Sequence, residues 1–347
     1  MNKLMTVFLI CITQFSCSRM DRINHLETKT PPLPEKIDVI AFGSCNDEDL
    51  PQTIWDDILK NKPDLWIWLG DNIYGDSEDP YVLINKYNKQ LRAKPYQNFI
   101  AQCPIIGTWD DHDYGENDGG KDYPMREKSK EIMLEFLGVD SGNPVYNHEG
   151  VYQSYDFTSG EYIVRVILLD TRYFRDILEP DPAGEERYAK NYSGSILGVE
   201  QWIWLNDQLI NSPADVHIIG SSIQVLPEEH IFEKWSNFPF EKEKFLKLIN
   251  DSNVKNPLIL SGDRHMAELS AIELDNGSSL VEVTSSGMTH SWPMLFPEQN
   301  KYRQRGVIAT LNFGILTFDW EQSQLNIEIR GSENVFHFDY QLPLNLR

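Results

Sequence analysis

The chain has 347 residues, 41% hydrophobic and 12% aromatic, which supplies a substantial core and excludes disorder of the bulk. Lys and Arg number 31 against 53 Asp and Glu; the formal net charge of −22 at pH 7 repels polyanions and argues against a nucleic-acid or anionic-membrane surface. Small anionic substrates remain open, because a bound cation can invert the local field that the net charge implies.

Residues 1–17 have the build of a signal peptide: Lys3 precedes the largely apolar Leu4–Ile12, and Ser16 precedes Cys17. The apolar stretch is shorter than the roughly 20 residues of a bilayer-spanning helix. It resembles a bacterial lipoprotein signal, which implies export to the periplasm or cell envelope with lipid on Cys17; Gln14 departs from the aliphatic residue usual there, and Cys11 is a rival position. Residues 18–36, polar and carrying Pro31-Pro32-Leu33-Pro34, read as a tether to a domain over 37–347. Cys45 and Cys103 then remain, fit either to pair in an oxidising compartment or to leave Cys45 as a reactive thiolate.

Short apolar runs follow in order: Ile37–Phe42, Leu65–Leu69, Pro104–Gly107, Ile163–Leu169, Val216–Ile219, Pro257–Leu260 and Leu280–Val283. They predict strands buried on both faces. Helical spacing lies between several of them, at Ile54-Trp55-Ile58-Leu59, Ile132-Met133-Phe136-Leu137, Trp202-Leu205-Leu209 and Phe245-Leu248-Ile249. Pro80–Gln102 reads as helix interrupted at Pro95. Alternating patterns at Leu316–Trp320 and Leu325–Ile329 predict a hairpin, and Tyr152–Leu169 around Ser159-Gly160 a second, so the expected class is α/β with mixed sheets.

Six of the runs end in polar residues: Gly43-Ser44-Cys45, Gly70-Asp71-Asn72-Ile73-Tyr74, Thr108-Trp109-Asp110-Asp111-His112-Asp113, Asp170-Thr171-Arg172, Gly220-Ser221-Ser222-Ile223-Gln224 and Ser261-Gly262-Asp263-Arg264-His265. Strand C-termini are where open α/β sheets place ligands. Each piece alone has an ordinary structural explanation: Gly-Asp is a common turn, a lone Cys a small core residue, and Asp170 with Arg172 fits a structural pair as well as a substrate contact. Together, carboxylate, imidazole, phenolate and thiolate form a ligand set for two neighbouring cations. Thiolate and phenolate favour a more Lewis-acidic metal than calcium, whereas clustered carboxylates suit a hard cation.

With these motifs the chain resembles the PhoD-like alkaline phosphatase D family of calcineurin-like metallophosphoesterases, from about Ile37 to His290. The resemblance implies two mixed β-sheets packed together, flanked by helices, and hydrolysis of phosphate esters by a metal-bound hydroxide. It implies Cys45 and Tyr74 on an iron-like trivalent metal (Fe3+), Asp71 bridging to a companion cation (Ca2+), Asp111 and more weakly Asp110 on that cation, and Asp263 and His265 each facing one metal. A third ligand of the second cation is expected near Ser221–Gln224. His112 would stand beside the scissile phosphate as general acid or charge stabiliser, and Arg172 would orient the ester. The stretch between Cys17 and Ile37 is too short for the extra N-terminal β-domain of many relatives. The expected partner is a small phosphate ester, with monoester and diester undivided. Phosphodiesterase or phospholipase activity at the same site is one alternative, and a non-catalytic metal-binding surface lipoprotein another. The loops Gly115–Tyr123, Tyr173–Ser193 and Met288–Gln304 are expected to shape the leaving-group pocket.

Overall fold

Leu65-Trp66-Ile67-Trp68-Leu69 is apolar throughout because both of its faces are covered. Trp66 and Trp68 pack against helices on one side, and Leu65, Ile67 and Leu69 face a second sheet on the other. The same logic holds for most of the predicted runs. In the computed structural model, which describes residues 22–24, 30–252, 254–293 and 298–346, they form two six-stranded sheets. The expected signal peptide, 1–17, lies outside the described residues.

The first sheet has the order β12-β11-β10-β1-β2-β3. It comprises β1 (Val39–Gly43), β2 (Leu65–Leu69), β3 (Ile105–Thr108), β10 (Asn312–Asp319), β11 (Gln324–Gly331) and β12 (Phe336–Pro343). The second, ordered β4-β5-β6-β7-β9-β8, comprises β4 (Gln153–Ser159), β5 (Tyr162–Leu168), β6 (Val216–Ser221), β7 (Pro257–Ser261), β8 (Ala267–Glu273) and β9 (Ser279–Ser285). Both are mixed. β1, β2 and β3 run parallel, as do β5, β6, β7 and β9, while β10–β11 and β4–β5 are the antiparallel hairpins expected from alternation.

Helices cover both outer faces. On the first sheet lie α1 (Ile54–Leu59), α2 (Pro80–Arg92), α3 (Lys94–Ile100) and α5 (Arg126–Phe136), around a nest of rings in which Trp55 meets Trp66 and Trp68 edge-on at 5.0 and 5.1 Å. α6 (Gly198–Leu209) and α7 (Pro239–Asp251) bury Trp202, Leu205 and Phe245 against the second sheet. Between the sheets lies a layer of aliphatic side chains including Ile67, Val166, Leu258 and Leu316. Pro95 sits in the first turn of α3, where its missing N–H costs nothing, and the chain breaks just before it at Ala93, which is extended.

The 18–36 stretch does not hang free where it is described. Ile23 is buried in the first core, Asn24 N donates to Asn88 Oδ1 at 2.6 Å, and Thr158 N donates to Glu35 O at 2.8 Å. Two strands escaped the periodicity reading. β8 alternates apolar residues with Glu268 and Ser270, which are buried and hydrogen-bonded, and β12 is a largely exposed edge.

Candidate metal centre

Parallel pairing brings the C-terminal ends of β1, β2 and β3 together, and those of β5, β6 and β7 face them from the other sheet. Cys45, Asp71 and Asp110-Asp111 therefore leave the first sheet close to Asp263 and His265 leaving the second. The close approach depends on glycine at position 70: its φ is +95°, and a Cβ there would stand 2.4 Å from Asp110 Cβ. The residues that follow are themselves unusual. Cys45, Asp71, Asp263 and His265 adopt left-handed φ values of 58°, 49°, 66° and 52°. Non-glycine residues pay for that conformation, and it concentrates at functional sites.

The run Asp110-Asp111-His112-Asp113 divides its labour at the start of the short helix α4 (Asp111–Tyr114). Asp113 turns back on the backbone, accepting from Asp110 N at 2.7 Å and Asp71 N at 3.2 Å. Asp110 and Asp111 turn into the site. Ligand atoms of Asp71, Asp111 and His112 lie within 4.8 Å of one another, as do those of Asp110, Asp111 and Asp263, so Asp111 belongs to both groups. Asp71 Oδ2 also lies 3.3 Å from Cys45 Sγ and 3.4 Å from Tyr74 Oη. His265 stands on the Tyr74 side, 4.4 Å from His290 and stacked at 3.9 Å on Trp292.

The charges in this pocket are unbalanced. Burial, then the charge of Asp111, pushes Asp71 well above the usual carboxylate range, and burial with Asp110 and Asp111 does the same to Asp263. Burial raises Asp110 to about 7 despite Arg172. Cys45 and Tyr74 are also pushed up, by burial and then by neighbouring anions. Burial opposes protonation of His112, but Asp111, Asp71 and the hydrogen bond it donates to Asp76 outweigh it and lift the imidazole to about 11. Burial, with His290 and His112 beyond it, holds His265 down at about 2. Asp71 Oδ1, Asp110 Oδ2 and His265 Nδ1 are buried with no hydrogen-bond partner. Buried acceptors left unpaired among like charges are costly, and cations would satisfy both deficits. The residues present therefore fit metal ions, with a thiol, a phenol and an imidazole at one end and carboxylates at the other.

His112 Nδ1 lies 2.8 Å from both oxygens of Asp76, and its ring packs on Tyr74 with centroids 4.2 Å apart. Arg172 was expected on the ester. Its side chain is wholly buried, with Nε 2.6 Å from Asp110 Oδ1 and Nη1 2.6 Å from Glu233 Oε2. Asp170 does not pair with that guanidinium; it accepts from the backbone N–H groups of Arg172 and Tyr173 and from Trp109 Nε1. Cys45 and Cys103 are both unpaired and buried. Within Ser221–Gln224, Ser222 Oγ reaches Asp110 Oδ1 at 2.7 Å, while Gln224 turns away to Glu268 and Thr284.

His290 was not foreseen. Its Nε2 lies 3.2 Å from Tyr74 Oη, yet it falls well beyond the end of the β9 run, outside the few residues where a strand-end reading looks. Glu233 and Asp118 were missed as well, because a charge in a loop carries no mark of burial in the sequence.

The PhoD-like phosphatase family profile matches residues 40–312. The chain belongs to the PhoD-like phosphatases. Alkaline phosphatase D of Bacillus subtilis (strain 168) is 26% identical over 295 residues, covering 72% of this chain and 50% of that protein, so this PhoD-like chain spans about half of its curated relative. A solved structure of PhoD superposes with a TM-score of 0.69 at 20% identity, over 91% of this chain and 70% of that one. A dimetal phosphatase from Danio rerio gives 0.56 at 11% identity, over 89% of this chain and all of that one. At these identities the structures establish the shared fold alone: two mixed β-sheets with flanking helices.

Proposed function

We propose that this protein hydrolyses phosphate esters at a two-cation centre. Cys45, Asp71, Tyr74 and His265 would hold one ion, fit for Fe3+ by their thiol, phenol and imidazole donors. Asp110, Asp111 and Asp263 would hold the other, fit for Ca2+ by their hard oxygens. Asp71 lies 3.3 Å from Cys45 and in one donor group with Asp111, which supports reading it as a ligand shared by the two ions. The observation that carries the reading is the donor group of Asp110, Asp111 and Asp263, with Asp71 beside it 3.3 Å from Cys45 and 3.4 Å from Tyr74 and buried unpartnered atoms on Asp71, Asp110 and His265.

Bound cations supply Lewis-acid charge and lower the pKa of water from about 15.7 toward 7. The chain's own residues do the rest. His112 is fixed through Nδ1 by Asp76 at 2.8 Å, which leaves Nε2 to carry the proton given to the leaving oxygen. The exposed face of Trp292, stacked on His265, offers an apolar shelf for the organic part of a small ester. We further propose export as a Cys17-anchored lipoprotein; among the described residues no helix is long and apolar enough to cross a membrane.

Metal analysis of the purified protein, coupled to hydrolysis of a chromogenic phosphate monoester and diester before and after chelation, tests the reading. Iron and calcium with chelator-sensitive turnover support it and report the preferred ester class. A protein that stays inactive on both esters after reconstitution with iron and calcium overturns it. Lipid incorporation that persists in Cys17→Ala would reject the anchor.

A further inference from the structure

Asp110 spends only one of its oxygens inside the protein. Oδ1 takes Arg172 Nε at 2.6 Å, pairs with Nη2 of the same guanidinium, and accepts from Ser222 Oγ at 2.7 Å; Oδ2 is buried and unpartnered. A carboxylate pinned through one oxygen by a planar guanidinium has the direction of the other oxygen fixed.

The pinning does not stop at Arg172. Its Nη1 lies 2.6 Å from Glu233 Oε2, and Glu233 Oε1 lies 2.9 Å from Arg175 Nε. Arg175 Nη2 donates to the carbonyl oxygens of Asp118 and, at 2.6 Å, Gly119. Asp118 N in turn donates to Asp111 Oδ2 at 2.7 Å. The chain Asp110–Arg172–Glu233–Arg175–Asp118–Asp111 thus begins and ends on two carboxylates of the same donor group. Arg172, Glu233 and Arg175 are each at most 1% exposed. A buried ion chain is a poor source of stability, since desolvating the charges consumes most of what their attraction returns. What it does supply is fixed geometry.

We infer that Arg172, Glu233 and Arg175 form a positioning relay that aims Asp110 and Asp111 at the second cation, and that Arg172 makes no contact with substrate. The inference rests on the metal-centre reading above. It predicts which property a substitution changes. A substrate-orienting arginine controls KM for the ester, whereas a relay that orients ligands controls cation affinity, typically by about 10–100-fold when one member is altered.

The test uses chelator-stripped wild type, Arg172→Lys and Glu233→Gln, with calcium binding followed by calorimetry and circular dichroism as the check on folding. Glu233 touches neither Asp110 nor Asp111, so E233Q keeps the test alive if R172K fails to fold. Both variants are expected to bind calcium about 10–100-fold more weakly. Their KM for a chromogenic phosphate ester at saturating calcium should be unchanged. Normal wild-type binding with calcium affinity retained in folded variants overturns the inference alone, and a raised KM in that case returns Arg172 to substrate contact. A wild type that binds no cation overturns the inference together with the proposed function.

Discussion

Asp113 anchors the metal centre without belonging to either donor group. Its wholly buried carboxylate is surrounded by donors: Oδ1 takes Asp110 N at 2.7 Å and Asp71 N at 3.2 Å, and Oδ2 takes Asn72 Nδ2 at 2.6 Å, Tyr87 Oη at 3.2 Å and Asn72 N at 3.3 Å. Asp113→Asn preserves shape but turns one oxygen into an NH2 group facing at least two of those donors. Each hydrogen bond to a charged acceptor is worth about 1.5–3 kcal/mol, so losing two costs roughly 3–6 kcal/mol. That is a large share of a typical stability of about 5–15 kcal/mol. Because Asp110 N and Asp71 N hang from the same oxygen, the change should also loosen two candidate donors. Burial and the charge of Asp110 raise Asp113 to about 7 against the pull of its backbone hydrogen bonds, so at pH 8 the ionised side chain is itself held at a cost that the neutral amide escapes, and the net loss in urea unfolding should fall at or below the lower end of that roughly 3–6 kcal/mol. A variant within about 0.5 kcal/mol of wild type, the range of an inconsequential surface change, would refute the reasoning and show that the position is held as the neutral acid.

Alanine at Asp71 should abolish turnover and reduce bound metal in elemental analysis; full activity would remove Asp71 from the ligand set. His112→Asn should lower kcat by about 10²–10⁴-fold while metal content is retained, and a parallel loss of metal would make His112 a ligand instead. His217, away from the site, is buried between Lys255 O and Ser212 Oγ, and burial depresses it to about 4. Its folded pKa lies below the unfolded value, so the unfolded chain takes up the proton first. Stability conferred by neutral His217 should therefore fall as pH drops from about 6.5 through 4, by roughly 3 kcal/mol in total, relative to His217→Gln. Parallel pH profiles for the two proteins would contradict this.

Much of the fold was legible because its strands are buried on both faces, so Leu65–Leu69 or Val216–Ile219 announce themselves as unbroken apolar runs. β8 did not, because Glu268 and Ser270 point into the protein and are satisfied there by Gln224, Arg303 and Asn300, partners set only by tertiary packing. The strand-end residues of the site were visible for a related reason: a polar side chain directly after a buried run has few places to go. Arg172 shows the limit of that reasoning. A strand-end arginine near carboxylates reads as a hand extended to an anion, and nothing in the local pattern marks the buried Glu233 that lies 2.6 Å from it. His290 and Asp118 arrive from loops whose return path depends on the closed fold.

The left-handed backbone at Cys45, Asp71, Asp263 and His265 has an evolutionary side. At about 1–3 kcal/mol for each strained residue, these positions work against the folding of the metal-free chain. Glycine would relieve that strain at every one of them, and asparagine would ease it at the two aspartates. Random drift that selects for thermostability alone should therefore erase this pocket first. Thermostable variants recovered without a screen for cation binding are expected to carry substitutions at these four sites.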